Sequence, residues 1–364
     1  MTTKNKLFYA EASKGYIVKV TVDTLCGGQL QRGYFVIDKD GISLRQCDQG
    51  NTILYDVTFP RKNFKNYKCT KPLCISVNLK HMQGLLRNVK KKDSIAIYID
   101  VNQPGKFFIM IRPEGVRENV RFETNSIAYQ EEKDHKVMEL PDGKYKYPMV
   151  IGATDFQKLK RLTTIGKIIT ITMQKNNYLC FRCDAGVVYD SELGFGEILD
   201  GSQSEEEDKE PDEEADQEDV DEDQEEEDNE EDEDVEEDQE EEDNEEDEEQ
   251  EDVEEDQEEE PEDGYDTVDT GEVKGLFTSQ YYSSILNKLV KLPGLCTQMQ
   301  FYAPTIPRYP LRIEVNAGQG GYTLGTIQVF IKDVSQITYE ASIRNESDIV
   351  STPQVKGKTK PKKK

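Results

Sequence analysis

NLKHMQGLLRNVK, residues 78–90, places Leu79, Met82, Leu85, Leu86 and Val89 on one face at helical spacing. The rest of that segment is basic: Lys80, Arg87 and Lys90, followed by Lys91 and Lys92, with no acid among them. Short strand-like runs flank it. GYFVIDKDGISLRQC and NTILYDVTF come before; SIAIYIDV and KFFIMIRP come after. Turn pairs such as Asp40-Gly41 and Pro104-Gly105 separate the runs. One helix set among antiparallel hairpins is an α+β layout.

Three further segments extend the pattern. TDFQKLKRLTTI (154–165) opens with Thr154 and, three residues on, Gln157, the spacing of a capping box, and buries Phe156, Leu159 and Leu162. TSQYYSSILNKLVKL (278–292) gathers Tyr282, Ile285, Leu286 and Leu289 and stops at Pro293-Gly294. KGYIVKVTVDTL (14–25) is ambiguous, because its Val, Ile and Thr content and its alternation favour a strand. Further strand-like runs are KIITITMQ, NYLCFRCD, CTQMQFYA, LRIEVNA and TIQVFIKDV. The segment starts at 14 and 78 lie 64 apart, and those at 154 and 278 lie 124 apart. Removing residues 201–263 shortens the second gap to 61, so the two halves share one layout. The sequence predicts a duplicated architecture.

The excluded stretch is the chain's acid store. The 364 residues hold 45 Lys+Arg and 75 Asp+Glu, a net charge of −30. Residues 205–263 carry 45 of those acids and one base, Lys209. The remainder has 44 bases and 30 acids, a net of +14, and six of those bases sit in the C-terminal KGKTKPKKK. DQEEEDNEED occurs at 223–232 and again at 238–247. Such a segment cannot bury apolar surface and repels itself, so disorder is expected. It reads equally as a harmless slipped-replication insertion or as a docking tail for basic proteins or for the chain's own basic surface.

The function classes narrow quickly. No run of about 18 apolar residues is present, so no membrane-spanning helix is expected. MTTKNKLFYAEASKG has no apolar stretch of signal-peptide length, so secretion is not expected. Seven Cys without such a signal read as reduced thiols. Cys180-Phe-Arg-Cys183 lies in an alternating strand, where positions three apart face opposite ways, which argues against a zinc site with Cys69 and Cys74. Gly27-Gly28 and the GQGG of 318–321 lack a phosphate-loop Lys-Ser/Thr and read as turns. With two His, no Trp and no distinctive carboxylate pair, no enzyme and no cofactor are expected.

The bases recur on every helix candidate: Lys14 and Lys19; Lys80, His81, Arg87, Lys90 and Lys91; Lys158, Lys160, Arg161 and Lys167; Lys288 and Lys291. A solvated helix face is the plain alternative for each alone. Their recurrence in a basic body points to phosphate contact, hence sequence-independent binding of double-stranded DNA.

The ordered set DKDGISLRQCD (38–48), FKNYKC (64–69), VNLKHMQGLLR (77–87) and LPDGKYKYPMVIGATDFQKLKRLTTIG (140–166) resembles the sliding DNA clamps of the proliferating cell nuclear antigen family. The resemblance runs through most of 10–337 outside the insertion. It implies the DNA clamp fold: two similar domains with helices lining a central hole and antiparallel sheets outside. It places an N-terminal domain at 1–127, a connector at 128–144, a C-terminal domain at 145–200 plus 264–340, the acidic insertion at 201–263 and a basic tail at 341–364. It further implies a homotrimeric ring that tethers a DNA polymerase, is opened by a clamp-loader ATPase, and serves replication and repair. Partners with short hydrophobic motifs would enter a socket at Cys47, Leu54, Met138, Leu140, Pro310, Leu311 and Phe330. The implied location is the nucleus, or a cytoplasmic replication site if the source is a large DNA virus; the tail suits nuclear import or a further DNA contact. The alternative function is an acidic-loop chaperone or docking protein for histone-like partners on a clamp-like scaffold.

Overall fold

A β-α-β-β-β unit occurs four times along the chain. The computed structural model describes residues 5–114, 122–133, 135–140, 143–174, 178–184, 190–196 and 277–350. The acidic segment and the lysine-rich end at 356–364 lie outside the described residues. The first unit is β1 (Lys6–Ala12), α1 (Gly15–Gly27), β2 (Arg32–Ile37), β3 (Gly41–Cys47) and β4 (Ile53–Pro60). A short β5 (Asn66–Cys69) leads into the second: β6 (Leu73–Asn78), α2 (Leu79–Leu86), β7 (Ser94–Asp100), β8 (Lys106–Arg112) and β9 (Glu123–Glu131). The third is β10 (Met149–Gly152), the split helix α3 (Ala153–Gln157) and α4 (Leu159–Thr163), then β11 (Ile168–Gln174), β12 (Tyr178–Asp184) and β13 (Asp190–Phe195). The fourth is β14 (Phe277–Tyr282), α5 (Ser283–Asn287), a 3-10 turn at Leu292–Leu295, β15 (Gln298–Tyr302), β16 (Leu311–Gln319) and β17 (Tyr322–Ile331). A final helix, α6 (Val334–Val350), follows the repeat and crosses the boundary expected at 340/341.

Strand exchange ties the units in pairs. Each unit's first strand pairs with the meander of its sister: β1 with β7 and β6 with β2, then β10 with β15 and β14 with β11. Three of the resulting groups join through β17–β4 and β6–β9, and with β5 they make a 13-stranded sheet. The fourth stands alone as β13-β12-β11-β14. The duplicated α+β layout is therefore present.

The helical elements form one continuous layer. Contacts run from α2 to α1, to the turn at Leu292–Leu295, to α3, to α4 and to α5. Leu79, Met82 and Leu86 of α2 point into the core, as do Phe156, Leu159 and Leu162 of α3 and α4. Phe156, Phe181 and Phe301 pack together, with centroids 5.8 and 6.0 Å apart about Phe301.

One local ambiguity is resolved and two expectations are corrected. Residues 15–27 are a helix, despite their β-branched content. A propensity deficit of about 0.5 kcal/mol per residue is outweighed by burial of Ile17, Val18, Val20, Val22 and Leu25. The Thr21 and Thr24 hydroxyls donate to the carbonyls of Ile17 and Val20, each at 2.8 Å, so no hydroxyl is stranded. Residues 277–282 form a strand paired along β11, which confines the helix expected over 278–292 to 283–287. The capping box at Thr154 does not form: the Ala153 amide is bound to the Thr297 carbonyl, the helix starts from Gly152, and Thr154 lies inside its first turn.

Candidate nucleic-acid interface and partner socket

The helical layer carries a set of exposed cations. Asn78 caps α2 by accepting from the His81 amide at 2.9 Å, which sets the phase of the helix. With Leu79, Met82 and Leu86 inward, Lys80, His81 and Arg87 are exposed. The turn after α2 exposes Lys90, Lys91 and Lys92 and is closed by Asp93, whose carboxylate accepts from the Lys90 amide at 3.0 Å. On the other half, Lys160, Arg161 and Lys167 are exposed, as is Lys291. Lys158 is exposed too but pairs with Asp155 at 2.8 Å.

Three candidates are committed elsewhere or partly covered. Lys19 donates to the Arg87 and Val89 carbonyls at 2.7 and 3.4 Å, so it joins α1 to the end of α2. Lys14, at the start of α1, is partly buried. Lys288 is withdrawn from the surface set: its side chain is 17% exposed, and its ammonium lies 2.9 Å from Asp48, whose side chain is 0% exposed. Burial by itself would raise the Asp48 carboxyl. The Ile53 amide, Lys288, and the hydroxyl and amide of Thr52 more than offset that and hold it below the ordinary carboxylate range. Lys288 balances a buried charge, a pairing with no local signal because Asp48 is 240 residues away.

A second site lies on the sheet face turned away from the core. Strand register aligns Tyr302, Arg312, Phe330, Leu54 and Cys47 in one row across β15, β16, β17, β4 and β3. Directly opposed residues share a face. Ile53, Tyr55, Val329 and Ile331 alternate with this row and belong to the core, whereas Leu54 and Phe330 do not. Both are nonetheless buried, at 8% and 4% exposure. Part of the cover on Phe330 is the Tyr145 ring, 6.4 Å away, whose hydroxyl donates to the Pro310 carbonyl at 3.2 Å.

The connecting segment is pinned across this region. Arg45 pairs with Asp56 at 2.9 Å and donates to the Met138 carbonyl at 3.0 Å. His135 stacks on Tyr34, with ring centroids 4.9 Å apart. Met138 is exposed and Leu140 partly buried. Burial pushes the Cys47 thiol above its ordinary value, with a smaller opposing effect from Lys332, so it is a neutral, soft wall at physiological pH. α6 closes one side: Asp333 and Gln336 cap it reciprocally, and Lys332 bonds Glu340 at 2.8 Å.

Residues 7–133 match the family model described as "Proliferating cell nuclear antigen, N-terminal domain". That stretch, about a third of the chain, is similar to the family's N-terminal domain. Among its relatives, the DNA polymerase sliding clamp of Pyrococcus furiosus is 33% identical over 63 residues, 17% of this chain and 25% of that one. DNA polymerase sliding clamp 1 of Pyrobaculum aerophilum is 29% identical over 94 residues, 26% of this chain and 36% of that one. The matched stretch thus spans about a quarter to a third of the length of these relatives. A crystal structure of the proliferating cellular nuclear antigen from Entamoeba histolytica superposes with a TM-score of 0.59 at 11% identity, covering 90% of this chain and 99% of that chain. That likeness carries the clamp fold across both halves, beyond the sequence match.

Within that fold, four of the seven residues expected to form the socket come together. Cys47, Leu54 and Phe330 share the outer row, with Pro310 held against Tyr145. Leu311 lies on the opposite face, in the core and 0% exposed, because the pleat of β16 turns successive side chains opposite ways. The sequence reading missed Arg312, Tyr145, Tyr302 and Arg45. Arg45 and Arg312 had a local signal, each a basic residue in an alternating strand, ISLRQC and LRIEVNA.

Proposed function

We propose that the chain is a DNA sliding clamp, a processivity factor that encircles duplex DNA and tethers a polymerase and other replication and repair proteins. The carrying observation is the continuous helical layer with exposed bases on both halves, backed by sheets. Lys and Arg on a smooth layer contact phosphates without reading bases. Such contacts are weak and sequence-independent, which is what sliding requires, so retention on DNA comes from ring topology. The fold itself supplies no catalytic step in this reading.

The ring is a homotrimer in this proposal. Among the described residues, β13 is one edge of the four-stranded sheet, and β9 pairs with β6 only through residues 129–131. These two strands, one in each half, suit head-to-tail pairing between copies. Polymerase and other partners would dock a short apolar motif in the row holding Leu54 and Phe330, and a clamp-loader ATPase would open the ring. The working location is wherever the source replicates DNA: the nucleus, or a cytoplasmic site for a large DNA virus. The chaperone reading has nothing in its favour beyond the acidity of residues 205–263.

Light scattering tests the assembly. A solution mass near three times the 41.7 kDa chain is expected. A monomer at every concentration up to that used for DNA binding would sink the ring.

A further inference from the structure

Arg312 is out of place in an apolar row. It sits on β16 between Tyr302 and Phe330, and its guanidinium is held by rings, 3.8 Å from the Tyr302 centroid and 4.7 Å from that of Tyr145. Its Nε is buried and makes no hydrogen bond. Among the described residues no carboxylate lies within ion-pair distance of it. The acid nearest along the strand on the same face, Glu314, accepts instead from Gln328 at 2.9 Å. A buried donor left without an acceptor costs about 1–3 kcal/mol, and a guanidinium fork matches a carboxylate better than any other side chain does. Two stacked tyrosines fix its orientation before anything binds.

We propose that Arg312 is the recognition residue for a carboxylate on the docked segment: the partner motif carries an Asp or Glu beside its apolar plug, and that acid reaches the Arg312 guanidinium while the plug covers Phe330 and Leu54. This rests on the socket reading above. The site is built for it, since apolar floor and oriented cation are neighbours in one row. It also defines the partner class as short acidic-apolar segments rather than purely apolar ones.

The test uses the full chain and two synthetic fluorescent peptides. Both carry the same plug of one Leu and two Phe; one has Asp on each flank, the other Asn. Fluorescence anisotropy at low salt should show the Asp peptide bound roughly 10-fold tighter. Arg312→Gln should shrink that ratio to about 2-fold or less without weakening the Asn peptide, and Arg312→Lys should restore only part of it. Phe330→Ala should weaken both peptides. Equal binding of the two peptides to the native chain, with Phe330→Ala still weakening both, would overturn the carboxylate assignment and leave the socket standing. Failure of both peptides to bind the native chain, or no effect of Phe330→Ala, would overturn the socket and the inference with it. The peptide exchange needs no variant, so a folding defect in Arg312→Gln cannot mask the answer.

Discussion

The two halves of the chain reach one topology by different means. In the N-terminal half, α1 and α2 are helices of 13 and 8 residues. In the C-terminal half the corresponding places hold α3, α4 and α5, five residues each. Isolated helices so short have no stability of their own. They persist because Phe156, Leu159, Leu162, Ile285 and Leu286 are buried, and because exchanged strands fix their ends. Strand pairing and core burial therefore carry the fold, while helix length is free to vary. The family model matches 7–133, within the half whose helices are long.

Four tests, using five variants, press on this comparison. Phe156→Ala should have the largest effect, about 3–5 kcal/mol from a cavity beside Phe301. A shift in denaturant midpoint worth less than about 1 kcal/mol would mean that the aromatic cluster does not hold the short helices.

Lys288→Met comes next. It leaves the Asp48 carboxylate buried without its cation, at a cost of about 3 kcal/mol near neutral pH. Because the folded value of Asp48 is lowered, its contribution is present above the ordinary aspartate value of 3.8 and is lost as pH falls through the lowered folded value. The difference in thermal midpoint between native and variant chains should therefore be full at about pH 7 and shrink as the pH falls below about 4. A difference independent of pH would remove the ion pair from the account.

Third, the double variants Lys80→Ala/Arg87→Ala and Lys160→Ala/Arg161→Ala should each lower the slope of log affinity for duplex DNA against log salt by about 2. Equal slopes for both variants sharpen the comparison, since the halves then contribute alike. A change confined to one half breaks it.

The smallest effect is expected for Thr24→Val in α1. The Val20 carbonyl loses only the hydroxyl bond, and the shape is kept, so stability should move by less than about 1 kcal/mol. A larger loss would show that the hydroxyl, rather than the apolar stripe, keeps this β-branched segment helical.

Most of the architecture was legible where one periodicity dominated. ISLRQC and ITITMQ alternate, and NLKHMQGLLRNVK repeats at helical spacing, so each was read for what it is. The segment 14–25 stayed ambiguous because Val and Thr favour strands locally, while the deciding burial against α2 and β7 is tertiary. In 278–292 the alternation of Phe277, Ser279 and Tyr281 was hidden by polar inward positions, one of them Ser279, which donates to Asp333 at 2.7 Å. The cationic face was readable because exposed Lys needs no partner. The Lys288–Asp48 pair and the place of Arg312 were not, since both depend on strands brought together across the whole chain. The reversal of Leu311 is a matter of strand phase by one residue, which apolar content alone does not fix.

The central claim is topological retention on DNA, and a duplex with closable ends tests it most directly. The chain is incubated with a linear duplex biotinylated at both ends, streptavidin is added, and the salt is raised to about 1 M, where surface charge is screened beyond about 3 Å. A threaded ring stays on the doubly blocked duplex and leaves when one end is cut. Loss from both duplexes at high salt, or equal retention on both, would contradict encirclement.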